Sequence, residues 1–139
     1  MPHYTDRLIT LVIPVKDEAK EVVADVVFKA QAHGWRVLVI DDGSKVPCKL
    51  ASIRFETSRG YGAAIKAGVR AAKTDFVATM DGDGQHTAWD VKRLEDFLVY
   101  FKPDMVIGDR RLKERGMRLW GRKVLNWTAS VFAGKWISD

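Results

Sequence analysis

The pattern of this chain predicts an α/β fold with a mostly parallel central sheet flanked by helices. Three observations point there. Short apolar runs alternate with segments of helical spacing. The runs are apolar at nearly every position, as in strands covered on both faces, where a half-exposed strand would alternate. Polar clusters follow the runs, at the strand ends where parallel sheets take their ligands.

Leu8 to Val15 is the first run, a strand buried on both sides. Asp17 to His33 carries helical spacing at Val22, Val23, Val26, Val27 and Ala30, and Gly34 is placed to end it in a left-handed cap. Arg36 to Ile40 is a second buried strand, running into Asp41-Asp42-Gly43-Ser44. A short strand is expected over Ser52 to Glu56. Gly60-Tyr61-Gly62 leads into a helix from Ala63 to Lys73, and Asp75 to Met80 is the next strand. Thr87 is a hydroxyl N-cap for a helix reaching about Phe101, with Val91, Leu94, Phe97 and Leu98 on its apolar side. Asp104 to Gly108 reads as a further strand and Met117 to about Ala133 as a helix.

The chain has 139 residues, 47% of them hydrophobic. That suits one domain with a modest core and excludes a disordered composition. No apolar run approaches the roughly 18 to 20 residues that span a bilayer. The polar stretch Met1 to Asp6 lacks the pattern of a signal peptide. A single cysteine, Cys48, makes no internal disulfide, and with three scattered histidines it forms no zinc constellation. A reducing, cytoplasmic setting is expected, with peripheral contact at the cytoplasmic face of a membrane. The net charge of +5 favours an anionic small molecule or membrane face, and no nucleic-acid partner is expected.

The densest chemistry is Asp81-Gly-Asp-Gly-Gln-His86, directly after a strand. Two carboxylates two residues apart offer hard oxygen ligands to one divalent cation, with Gln85 as a neutral oxygen beside them. Gly82 and Gly84 remove bulk, so a phosphate can approach. A plain acidic turn is the competing explanation. A calcium EF-hand loop does not fit, because His86 stands at the sixth position and Lys92 at the twelfth. Asp41 and Asp42 could accept hydrogen bonds from a ribose or a base edge, or could simply close a turn. Gly60-x-Gly62 before a helix hints at a dinucleotide fingerprint, but Ile65 stands where the third glycine belongs. A tight turn with close helix packing explains it better, although Gly62 remains a candidate for the nucleotide pocket.

Taken jointly, Val12-Ile-Pro-Val-Lys-Asp-Glu18, Val39-Ile-Asp-Asp-Gly-Ser44, Arg59-Gly-Tyr-Gly-Ala-Ala64 with Gly68, Met80-Asp-Gly-Asp-Gly-Gln-His86 and Met105-Val-Ile-Gly-Asp-Arg110 resemble the family 2 glycosyltransferases of GT-A fold. The likeness is closest to the branch that transfers sugars to polyprenyl or dolichol phosphate. It implies an inverting transfer of a sugar from a UDP- or GDP-sugar, with Mg²⁺ or Mn²⁺ as cofactor. It implies that Pro14, Glu18, Asp41, Asp42 and Asp81 line the nucleotide pocket, and that Asp81, Asp83 and Gln85 hold the metal. It implies catalytic roles for Asp83 and for Arg110 facing the diphosphate, with Arg122 more loosely aligned as a second arginine. A lipid-phosphate acceptor is already ionised and needs no general base. A hydroxyl acceptor would need one, and Asp139 is the candidate.

The chain departs from the family in having Lys16 and Asp17 where an aromatic residue and an asparagine are common, and Asp109 before Arg110. It also stops where the family usually continues into an acceptor-binding segment. The expectation is therefore a GT-A domain over residues 1–139, incomplete at its C-terminus. A non-catalytic nucleotide-sugar-binding module is the alternative. A nucleotidyltransferase is disfavoured, since Val12 to Glu18 lacks a glycine-rich basic signature. Residues 110 to 136 combine Arg110, Arg111, Arg115, Arg118 and Arg122 with Trp120, Trp127 and Trp136, a composition that suits an anionic membrane surface. Packing of those aromatics on the sheet or in a homodimer is the competing expectation.

Overall fold

The computed structural model describes residues 9–108. By its internal contacts the chain divides into Met1–Lys102 and Pro103–Asp139. The sheet and the helices described below belong to the first of these units.

Four parallel strands form the sheet: β1 (Ile9–Val15), β2 (Arg36–Asp41), β3 (Ile53–Arg54) and β4 (Phe76–Thr79), in the order β3-β2-β1-β4. Three helices connect or follow them: α1 (Lys20–Ala32), α2 (Tyr61–Ala71) and α3 (Ala88–Phe101). The chain builds outward from β1 through β2 to β3, then returns to place β4 on the other side of β1. That reversal opens a crevice at the carboxyl ends of β1 and β4, the position where open α/β sheets bind ligands.

The continuous apolar run of β1 has its reason in this topology. All seven of its residues are buried. Leu11, Ile13 and Val15 join a core with Val23, Val26, Val27 and Ala30 of α1 and Ala88 and Val91 of α3. Val12 points to the opposite face, into a core with Ile40 and Ala64 that α2 covers through Ile65 and Ala67. Burying each such valine or isoleucine contributes about 1.5–3 kcal/mol, so β1 carries much of the fold. On α1 and α3, apolar residues three and four apart give each helix one face for the sheet.

Several boundaries differ from expectation. The first helix begins at Lys20, not Asp17, because Asp17 has a left-handed backbone (φ 54°) and bonds away from the helix. The second begins at Tyr61, two residues earlier than expected, directly after Gly60. β3 keeps two paired residues of the expected five. The predicted ends of α1 and α3 hold. Gly34 has φ 80° and donates its N–H to Gln31. Thr87 and Asp90 form a reciprocal capping box.

The predicted strand over Asp104 to Gly108 is not formed. A strand exists where its backbone groups find a ladder, and these residues pair with no strand among the described residues. Met105 and Ile107 are correspondingly exposed. The predicted helix from Met117 to Ala133 lies outside the described residues. No helix among the described residues is long and apolar enough to cross a membrane.

Candidate functional site

The register of the sheet explains how a proline sits in the central strand. β4 stays paired with β1 only as far as Val12, which pairs with Thr79 and accepts the Met80 N–H. β2 continues to Val15. Backbone groups alternate sides along a strand, so the side on which Pro14 lacks an N–H faces the gap beyond β4. No ladder bond is lost there. The turn that follows β4 lies over this gap. A Cβ added at Gly82 would come within 2.6 Å of the Val15 side chain and 3.3 Å of the Pro14 carbonyl oxygen. Gly82 therefore lets the Asp81–Asp83 turn sit flat on the end of β1. It is buried, so of the two glycines expected to make room for a phosphate only Gly84 is exposed.

Asp41 and Asp42, expected to meet base and ribose, both have internal partners. Asp41 is fully buried. It accepts the Ser44 N–H at 2.8 Å, the Cys48 N–H at 3.0 Å and the Arg54 Nε at 3.1 Å. Burial alone would push its pKa up, but these hydrogen bonds outweigh it and hold the carboxyl below its ordinary value. Asp42, 5% exposed, accepts the Ser58 hydroxyl at 2.8 Å and the backbone N–H groups of Arg59 and Gly60. Its pKa is also lowered against the opposing effect of burial, by those bonds and by the Lys16 charge. Asp41 thus folds the 44–54 segment over the end of β2, and Asp42 anchors the start of α2. Gly43 makes the crossing possible. At φ 71° it passes so close to Ser58 that a Cβ would meet the Ser58 nitrogen at 2.6 Å.

The loop after β1 is tied into the same frame. The Asp17 N–H donates to Ser44 Oγ at 2.9 Å, and Asp17 Oδ1 accepts the Lys45 N–H at 2.8 Å. Lys16 donates from Nζ to Ser58 Oγ at 2.9 Å. Glu18 borders a cavity of about 630 Å³ between the start of α1 and the 44–50 segment, walled also by Val15, Val23, Ser44 and Cys48. Gly62 is exposed on the first turn of α2, with open space where a Cβ would stand.

The carboxylates after β4 are presented differently. Asp81 is 40% exposed and Asp83 half-buried. Asp81 Oδ1 accepts the Tyr61 hydroxyl at 3.1 Å, and Oδ2 lies 3.7 Å from His86 Nε2. Burial, then the hydrogen bond to Asp81 and its charge, push the Tyr61 phenol upward, so it stays protonated and donates. Asp83 Oδ1 accepts the Gln85 N–H at 2.9 Å, closing the turn on itself. Asp81, Asp83 and Gln85 could hold a divalent ion. No group of three or more His, Cys, Asp or Glu placed to ligate a metal occurs among the described residues. A pair of carboxylates fits an ion whose remaining positions go to phosphate and water, as Mg²⁺ prefers.

Sequence reasoning missed Tyr61. Asp42 binds Gly60, Tyr61 follows, and its hydroxyl reaches Asp81, so one path of contacts links the end of β2 to the end of β4. An aromatic residue opening a helix next to a glycine was the available signal. Arg110 and Asp139 lie outside the described residues, as does the basic, tryptophan-bearing segment to Trp136.

Comparison with known proteins agrees with this arrangement. The family model described as glycosyl transferase family 2 matches residues 10–135. The chain is 28% identical to a dodecaprenyl-phosphate galacturonate synthase of Rhizobium johnstonii, over 91% of this chain and 42% of that protein. It is 27% identical to a UDP-N-acetylglucosamine--dolichyl-phosphate N-acetylglucosaminyltransferase of Methanococcus voltae, over 76% and 53%. It is 36% identical to an uncharacterized glycosyltransferase of Mycobacterium bovis, over 74% and 49%. The chain spans about half the length of these relatives. With its parallel sheet, its helices on both faces and a family match over most of its length, the chain belongs to glycosyl transferase family 2.

Proposed function

We propose that this chain forms the donor-binding part of a metal-dependent, inverting glycosyltransferase. It would move a sugar from a UDP- or GDP-sugar to a polyprenyl phosphate. The observation that carries this reading is the Asp81–Asp83 turn, seated over the crevice between β1 and β4 with its carboxylates accessible. The names of two relatives, which specify dodecaprenyl and dolichyl phosphate, support the acceptor class.

Breaking a sugar–diphosphate bond moves negative charge onto the leaving diphosphate. A divalent ion supplies charge stabilisation for that group when it is bound, and Asp81, Asp83 and Gln85 would hold it. Asp41 and Asp42 contribute by fixing the loops that frame the crevice. Arg110 would add a bidentate cationic contact to a phosphate. A lipid-phosphate acceptor arrives ionised, so the protein has no proton to remove from it. A hydroxyl acceptor would bring back the need for a base and, with it, a role for Asp139.

Titration calorimetry with UDP and GDP tests the reading. Binding is expected with Mg²⁺ or Mn²⁺ and lost with chelator, and equal binding in both conditions would remove the metal from the site. Consumption of a UDP- or GDP-sugar on adding a polyprenyl phosphate separates turnover from donor binding alone.

A further inference from the structure

We infer that Tyr61 is a positioning residue for Asp81, holding that carboxylate in one orientation beside the Asp83 turn. The inference rests on the metal-dependent reading above and names a residue that reading does not need.

Asp81 stands just past the end of β4, where the ladder has stopped, and its side chain is 40% exposed. The Tyr61 hydroxyl donates to its Oδ1 at 3.1 Å. What matters is the stiffness of the donor. Tyr61 is the first residue of α2, and Asp42 grips the two backbone N–H groups immediately before it. Further along the helix, Gly68 lies against Val12 so closely that a Cβ would meet its side chain at 2.3 Å. The helix therefore cannot slide along β1, and the phenol ring has two torsions to set. His86, 3.7 Å from Oδ2, flanks the carboxylate on its other oxygen. Hydrogen bonds of this kind to a metal-binding carboxylate are worth about 10- to 100-fold in metal affinity.

A purely structural role predicts something else. Tyr61 is 57% exposed, so removing its hydroxyl leaves the core untouched. Tyr61→Phe keeps the ring and deletes only the donor. The test titrates Mn²⁺ into the 139-residue chain with UDP, following the loss of the free-ion EPR signal beyond that given by the same UDP without protein. Tyr100→Phe, at an 80% exposed position on α3, is the control. Tyr61→Phe is expected to weaken Mn²⁺ binding about 10-fold or more. Its thermal midpoint should stay at the wild-type level, and Tyr100→Phe should change nothing. Wild-type Mn²⁺ affinity in Tyr61→Phe overturns the inference and leaves the metal reading standing. A lowered thermal midpoint in Tyr61→Phe also overturns it, because Tyr61 would then act on the fold. A wild-type chain that takes up no Mn²⁺ overturns both.

Discussion

Asp41→Asn tests whether the first acid of the Asp41-Asp42 pair is spent on structure. The substitution keeps the shape and one acceptor oxygen. It replaces the other oxygen with an NH₂ group facing other donors among Ser44, Cys48 and Arg54. Hydrogen bonds to a charged acceptor are worth about 1.5–3 kcal/mol each, and breaking a buried ion pair from one side costs about 3–5 kcal/mol. Arg54 is 36% exposed and can turn to water, which removes much of its share. A net loss of roughly 2–3 kcal/mol remains, lowering the thermal midpoint by roughly 10 °C. The pH dependence gives a second check. The Asp41 pKa is depressed in the folded chain, so its stabilisation is present above the ordinary carboxylate pKa and fades as pH falls through the folded value. The asparagine variant has no proton to gain there. Its deficit should be constant above about pH 4 and should narrow below it, while Asp42 contributes the same slope to both proteins. Urea unfolding from pH 7 to pH 2 measures this. A deficit below about 0.5 kcal/mol at neutral pH, or one that does not narrow in acid, would refute the reasoning.

Asp83→Ala should abolish metal-dependent binding of UDP or GDP while costing about 1 kcal/mol of stability, the worth of its bond to the Gln85 N–H; calorimetry and thermal unfolding report the two separately. Gly68→Ala should destabilise by about 1–2 kcal/mol in urea unfolding. The new methyl meets the buried Val12 side chain at 2.3 Å, an overpacking cost of about 1–3 kcal/mol that the better helix propensity of alanine only partly offsets. The segment from Arg110 to Trp136 should bring the chain to anionic vesicles in a salt-sensitive way, at about 1 kcal/mol per basic residue that reaches the surface. Sedimentation with vesicles at low and high salt, together with tryptophan fluorescence, checks it. No co-sedimentation and no blue shift would leave the aromatics to packing.

What was legible in the sequence followed from periodicity and from caps. The double-sided burial of β1 shows in Leu11-Val12-Ile13, because a strand between two helical layers has no solvent side to mark with polar residues. The N-cap of α3 shows in Thr87, which acts on its own neighbours. The strand expected at Asp104 to Gly108 was wrong for a related reason. Apolar composition states that a segment tolerates burial, while a ladder needs a partner that composition does not name. Lys16, Ser58 and Asp42 were equally hidden. They meet across 42 and 16 residues of chain, and those separations have no local signature. The left-handed backbone at Asp17 was missed because Asp17 was placed inside the helical segment, and here it serves Lys45 instead.

Two acidic pairs stand at two strand ends of this sheet, nearly alike in sequence and differently enclosed. The difference lies in what surrounds them. Past β2 the chain folds back over its own strand end, and the segments at 44–54 and 58–60 supply seven hydrogen bonds to Asp41 and Asp42. Carboxylates so enclosed are ionised and have little left to offer a ligand. Past β4 the turn is short. Gly82 presses it onto Val15, and helix α3 begins soon after, at Ala88. Asp81 and Asp83 keep access to solvent as a result, and two close negative charges in that position repel each other until a cation arrives. The buried pair gives the crevice a fixed wall, and in the proposed reading the accessible pair gives it a charge for a cation to neutralise. Tyr61 joins them, since the helix that Asp42 anchors begins with the hydroxyl that holds Asp81. A substitution at Asp42 should therefore be felt at the end of β4 as well as at the end of β2, through a helix and not through any direct contact between the two acids.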